Sequence, residues 1–246
     1  MVIRLLGGIG MRRRRQVLSA MAILATAVSL AAGGLLYTVK KAPAFYIAAD
    51  HPSDWDTHES SARFLTRVLD LQNDIRSKDA WGDTFSVEEI NSFFIENLGP
   101  GGKFTDSLPP GFHSPRLAID GDRLYWGIQY GEGFWSTILW LELKVWLVAG
   151  QTNLAAVEIC HLQAGALPFG SLSLLDKIAD VARDMSMDIT WYRNGRNPVG
   201  LVRFFAKQPR ATSQILTLEV KEGKIVVAGR TSLDIGPVVN LNSANP

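Results

Sequence analysis

The hydrophobic pattern opens with an uncharged apolar run, residues 17–39, directly behind Arg12, Arg13, Arg14 and Arg15. Coiled as a helix at 1.5 Å per residue, the run reaches roughly 35 Å, enough for a hydrocarbon core of about 30 Å. Arginines are retained on the cytoplasmic side, so the pattern predicts a cytoplasmic basic segment at 1–16, a single transmembrane anchor at 17–39 and an extracytoplasmic remainder. Lys40 and Lys41 oppose this orientation but are outnumbered. A cleaved signal peptide is the competing reading, with Ser29, Leu30 and Ala31 as the cleavage site. Both readings export the downstream residues to the cell envelope.

Residues 40–56 carry prolines, histidines and acids, and read as a linker. A helix is expected over 57–76, where Phe64, Leu65, Val68, Leu71 and Ile75 form a stripe near helical period. Residues 77–84 break that pattern. A second helix is signalled by a capping box, Ser86 with Glu89, framed by Phe85 and Ile90 as a hydrophobic staple. The run 99–102, Gly-Pro-Gly-Gly, stops it.

The period then becomes two. Strands are expected at 116–120 and 123–130, joined by a turn at Gly121 and Asp122. Another is expected at 135–148, returning through 154–162 after a hairpin. Along 135–148, Trp135, Leu139, Leu141, Leu143, Val145 and Leu147 point one way. Ile138, Trp140, Glu142, Lys144 and Trp146 point the other. A third, amphipathic helix is predicted around Leu174, Ile178, Val181 and Met185. Strands follow at 189–193, 199–206, 214–220 and 224–230, and 233–246 reads as a flexible tail. The expected fold is α+β: a transmembrane helix, then an extracytoplasmic domain at 57–232 in which an antiparallel sheet curls around an amphipathic helix.

Composition narrows the possible partners. The chain has 246 residues, 25 of them Lys or Arg and 24 Asp or Glu. Five basic residues and no acid precede Lys40, so the remainder is net acidic, at −4. That balance argues against nucleic acid, whose affinity rests on neutralising phosphates. The single cysteine, Cys160, allows no internal disulfide and reads as a buried small hydrophobe.

Three short motifs carry a family resemblance. They are the helix start Ser86, Glu89, Ile90, Asn91; the turn Gly165, Leu167, Pro168; and the closing hairpin Leu218, Val220, Gly223, Ile225, Val227, Gly229. Behind an N-terminal anchor they resemble the YpmS-like group of bacterial membrane-anchored proteins. More loosely, they resemble the tubular lipid-binding superfamily that includes BPI-like and SMP domains. The resemblance spans about 84–231. It implies a sheet wrapped around a helix, an apolar groove for acyl chains, and no catalytic residues.

No catalytic or cofactor signature emerges. Asp50, His51, Asp54, Asp56, His58 and Glu59 match no metal-ligand spacing and read as a solvated acidic linker. The glycines before Lys103 lack the phosphate-loop pattern. His161 follows Cys160 directly, and neighbouring strand residues face opposite ways, which argues against a Cys–His dyad. Glu142 and Lys144 read as an exposed ion pair. The leading expectation is therefore a membrane-held lipid-binding domain. Its groove would be walled by Trp126, Ile128, Leu139, Leu141, Leu143, Val145, Ile178 and Val181. The alternative is a non-catalytic structural or interaction protein of an envelope assembly, meeting a protein partner through Trp140 and Trp146. An envelope hydrolase is disfavoured because no nucleophile, base and orienting group can be named.

Overall fold

The capping box predicted at Ser86 forms. The Glu89 amide donates to Ser86 Oγ and the Ser86 amide donates to the Glu89 carboxylate, each at 3.1 Å. This pair satisfies two helix-end donors and starts α4, Val87–Asn97. The computed structural model describes residues 7–50, 55–168, 188–195, 197–205 and 212–232. Before α4 stand α1 (Gly7–Lys40), α2 (Ala44–Ala48), α3 (Trp55–Ser77) and β1 (Ala80–Ser86). After it come β2 (Phe112–Asp120), β3 (Arg123–Tyr130), β4 (Thr137–Leu147), β5 (Leu154–Ala164) and the two-residue β6 (Leu167–Pro168). β7 (Asp188–Asn194), β8 (Asn197–Arg203), β9 (Ser213–Lys221) and β10 (Lys224–Thr231) complete the described elements. The class is α+β, with an N-terminal apolar helix and antiparallel pairing throughout the described sheets.

The larger sheet runs β2-β3-β4-β5-β8-β7, with β6 on β5; the smaller runs β1-β10-β9. Register assigns the two faces of the larger sheet. Trp126 lies opposite Leu141, Ile128 opposite Leu139 and Leu124 opposite Leu143, so these side chains share one face. Leu117 and Ile119 of β2 extend it. α4 packs on β2, and β9 lies against β2, β3 and β4. The core centres on Phe85, Ile90 and Leu117, with Phe64, Val68, Leu71, Phe94, Leu124, Trp126 and Ile225 around it. The inner face is thus covered, at this end, by two helices and a second sheet. The predicted third helix, with Ile178 and Val181, lies outside the described residues, as does the tail at 233–246.

Two asparagines close sheet edges. Asn91 on α4 is 2 % exposed. Its amide nitrogen donates to the Leu117 carbonyl and its oxygen accepts from the Leu117 amide, both at 2.8 Å. One side chain thus stands in for a neighbouring strand on the open edge of β2. Asn153, after β4, does the same for β9, donating to the Ser213 carbonyl at 2.7 Å and accepting from the Ile215 amide at 2.8 Å. Arg67 of α3 ties two more elements together through Asp83 of β1 and Glu89 of α4.

Several expectations shift. Residues 77–84, read as a break, contain most of β1. Its Gly82 and Asp83 are residue types depleted in strands, yet β1 pairs along its whole length with β10, far away in sequence. The stretch expected as a linker holds α2. Trp135, expected on the inner face of a strand, instead ends the 3-10 turn Gly133–Trp135 and faces solvent.

Candidate functional site

The last carbonyls of a helix have no partner within it and must find one elsewhere. At the end of α1 the domain supplies them. Thr137 Oγ1 donates to the Val39 carbonyl at 2.6 Å, and the Ala166 amide donates to the Thr38 carbonyl at 2.8 Å. Thr137 begins β4 and Ala166 sits in the turn after β5, so two strands grip one helix end. Gly165 makes the approach possible. Its φ is +60°, and a Cβ there would collide with the Val39 carbonyl oxygen. Its own carbonyl accepts from Trp140 Nε1 at 2.8 Å. The apolar helix is therefore docked to the sheet. Its window Ile23–Lys40 has mean hydropathy 1.5, is unburied, and is long and apolar enough to cross a membrane.

Directly after this joint, α2 straps the outer face of the larger sheet. The Phe45 ring lies 5.6 Å from Tyr125 and 5.8 Å from Trp140, centre to centre. Gly127 of β3 leaves the room, since a Cβ there would come within 2.8 Å of the Tyr46 ring. Tyr46 Oη donates to the Ser114 carbonyl at 2.6 Å. Burial pushes the Tyr46 phenol up to about 12; Arg116 pulls it down and Asp50 adds to the rise. Arg116 in turn bonds Asp50 at 3.0 Å. Of the two tryptophans expected to meet a partner, Trp140 is thus already packed by this chain's own α2. Trp146 is half-buried further along the same face.

The expected groove residues divide. Ile128 and Leu141 are buried and Trp126 packs into the core; Leu139, Leu143 and Val145 are half-buried. Ile178 and Val181 lie outside the described residues. Two clefts are formed elsewhere. One, of about 600 Å³, lies between α2, α3, α4 and β2, and is lined by Phe45, Ala48, Thr57, Glu88, Asn91 and Leu117 among others. A smaller one, of about 270 Å³, opens beside the α1 joint at Lys40, Tyr46, Gln129 and Thr137. Neither is lined by Trp126, Ile128, Leu139, Leu141, Leu143 or Val145, the expected groove residues among the described ones.

A charged cluster stands further along the outer face. The argument that Cys160 and His161 point apart fails at a β-bulge. Glu142 pairs with His161 but Leu143 pairs with Ile159, leaving Cys160 as the extra residue. Both side chains then reach one cluster. Arg123 Nη1 donates to Cys160 Sγ at 2.6 Å and lies 3.5 Å from Glu142, whose other oxygen is 2.6 Å from His161 Nδ1. Lys144 pairs with Asp122 at 2.8 Å rather than with Glu142. Desolvation raises the Cys160 pKa above that of a free thiol; Arg123 opposes the rise, while Glu158 and Glu142 add to it. The thiol is thereby held in its less reactive form. In the acidic stretch, His58 pairs with Glu96, Glu59 with Arg63 and Asp50 with Arg116. Among the described residues no group of three or more His, Cys, Asp or Glu is placed to hold a metal.

Residue types alone pointed to the tryptophans. They did not point to Thr137, Gly165, Ala166 or Phe45, which act through contacts distant in sequence. The Gly165 turn was visible as a motif, but its reason, the landing of α1, was not. No protein-family model, curated protein or solved structure matches this chain.

Proposed function

We propose that this chain is a single-pass membrane protein, N-terminus in the cytoplasm, whose α+β domain acts outside the cytoplasm as a non-catalytic structural or interaction module of the cell envelope. The observation that carries this reading is the joint at Val39. An enzyme or carrier on a flexible tether needs no such fit, whereas a scaffold gains from a domain held at one angle to its membrane helix. The four arginines before the apolar run support the orientation. Packing of Trp126 into the core and the burial of Ile128 and Leu141 on the face that β9 covers support a module that uses its surface rather than its interior.

A second reading, lipid handling through an apolar groove, is favoured by the half-buried Leu139, Leu143 and Val145. In that reading the sheet curls around an amphipathic helix carrying Ile178 and Val181, as the resemblance to the YpmS-like group and the tubular lipid-binding superfamily implies. One preparation tests both readings. Alkaline extraction of membranes is expected to leave the full-length chain in the pellet, and protease added outside intact cells to remove the domain. Native mass spectrometry of the detergent-purified chain is then expected to show the bare mass. A stoichiometric lipid surviving detergent exchange would replace the first reading with the second. A soluble, shortened chain would remove the anchor.

A further inference from the structure

The turn between β3 and β4 presents two large apolar side chains to solvent. Phe134 is 63 % exposed and Trp135 is 76 % exposed. Their rings pack edge to face at 5.3 Å, so they form one patch. A contiguous exposed pair of large apolar rings is the kind of patch that marks an interaction surface. The position of the turn suggests what it meets. Thr137, two residues on, is bonded to Val39 at the end of α1, and Lys40 Nζ lies 3.2 Å from the centre of the Phe134 ring. The patch is therefore level with the last turn of the apolar helix. On that helix Tyr37 is 71 % exposed, and Lys40 and Lys41 follow it.

Tryptophan and tyrosine concentrate where hydrocarbon meets headgroups, because each offers an apolar body and a polar tip. Lysines just beyond a span extend their ammonium groups to the same level. We infer that Phe134 and Trp135 insert into the interfacial zone of the bilayer that α1 crosses, forming with Tyr37 and Lys40 a second membrane contact. This inference rests on the anchoring reading above. α1 sets the depth of the chain, and one helix alone leaves the domain free to rock. A second contact beside it fixes the tilt. The far end of the larger sheet, at Gln151, lies one length of β4 from the Thr137 joint, roughly 36 Å at the strand rise for its eleven residues, and serves as the reference site.

The test uses the full chain in vesicles of phosphatidylcholine with a minor share of phosphatidylglycerol. In a Cys160→Ala background, spin labels are placed at Leu30→Cys, Glu132→Cys and Gln151→Cys. Oxygen reports lipid exposure and an aqueous nickel chelate reports water. The Leu30 label is expected in hydrocarbon, the Gln151 label in water, and the Glu132 label shielded from nickel relative to Gln151. Adding Phe134→Ser with Trp135→Ser is expected to abolish that shielding while the Leu30 label stays in lipid. A Glu132 label as wet as Gln151, with Leu30 in lipid, overturns the second contact alone. A wet Leu30 label overturns the anchor, and this inference with it. A label-free check guards against misfolding of the labelled variants. Brominated lipid is expected to quench the native chain's tryptophan fluorescence more than that of the Trp135→Phe chain. Equal quenching would also overturn the contact.

Discussion

Thr137 and Val39 are joined by a 2.6 Å hydrogen bond from the threonine hydroxyl to the helix carbonyl, across 98 residues of chain. This bond converts a helix end that water or lipid headgroups would otherwise solvate into part of the domain. The apolar helix and the sheet are thereby joined at the helix end. The reading of the chain as a rigidly mounted envelope module depends on that coupling, so the joint is the first place to test it.

Gly165→Ala is expected to open the joint. The substitution meets the Val39 carbonyl oxygen and also strains a residue held at φ +60°. The backbone strain alone costs on the order of 1 kcal/mol, and the collision adds to it. Trypsin cleavage after Lys40 and Lys41 in the vesicle-bound chain is expected to become faster, with the melting temperature lowered. Unchanged protease sensitivity would show that the helix end is not held by this turn.

Asn91→Ala is expected to be among the most damaging single changes outside the apolar core. It leaves the Leu117 amide and carbonyl without partners in a buried setting. Each unsatisfied group costs about 1–3 kcal/mol, so a loss of roughly 2–6 kcal/mol is expected in denaturant unfolding. Asn91→Asp keeps the acceptor but not the donor and is expected to lose less at mildly acidic pH, where its carboxyl can protonate. A loss under about 0.5 kcal/mol for the alanine variant, the scale of surface changes, would contradict the strand-mimic role.

Tyr46 is expected to give the fold an alkaline limit. Burial holds its phenol protonated up to about 12, against an ordinary 10 in the unfolded chain. Between those values the unfolded chain has released the proton and the folded one has not, so rising pH favours unfolding. The contribution is complete below pH 10 and is lost as pH climbs toward 12. Tyr46→Phe is expected to remove this step from the alkaline unfolding curve. At neutral pH it should cost about 1 kcal/mol for the missing bond to Ser114. An alkaline transition unchanged in the phenylalanine variant would assign the step to another group.

Cys160 alkylation should report the balance of charges around the bulge. The desolvated thiol is expected to react with iodoacetamide more slowly at pH 8 than a free thiol, because only the thiolate attacks. Arg123→Gln removes a cation that favours the thiolate and is expected to slow the reaction further. Glu142→Gln removes an opposing charge and is expected to speed it. A pH–rate profile that ignores both substitutions would place the sulfur away from this cluster.

Periodicity and capping rules read much of this chain directly, for a physical reason. An apolar run, a Ser86–Glu89 capping box and the alternation along 137–147 are each local, decided by residues within a few positions of one another. The α+β class, the N-terminal apolar helix and β2 to β5, together with the β9–β10 hairpin, follow from such signals. Gly82 and Asp83 show where that reading ends. They form a strand only because β10 offers its edge, so no local pattern announces it. The same holds for the partners of Val39, for Phe45 lying over Gly127 and Trp140, and for Cys160 turning beside His161 at a bulge. Sequence alone determined the capping box at Ser86, the alternating strand at 137–147 and an apolar run of membrane-crossing length, because those preferences belong to the backbone and its nearest neighbours. Tertiary structure alone decided what covers each face and where the apolar helix lands, because those contacts join residues that only folding brings together.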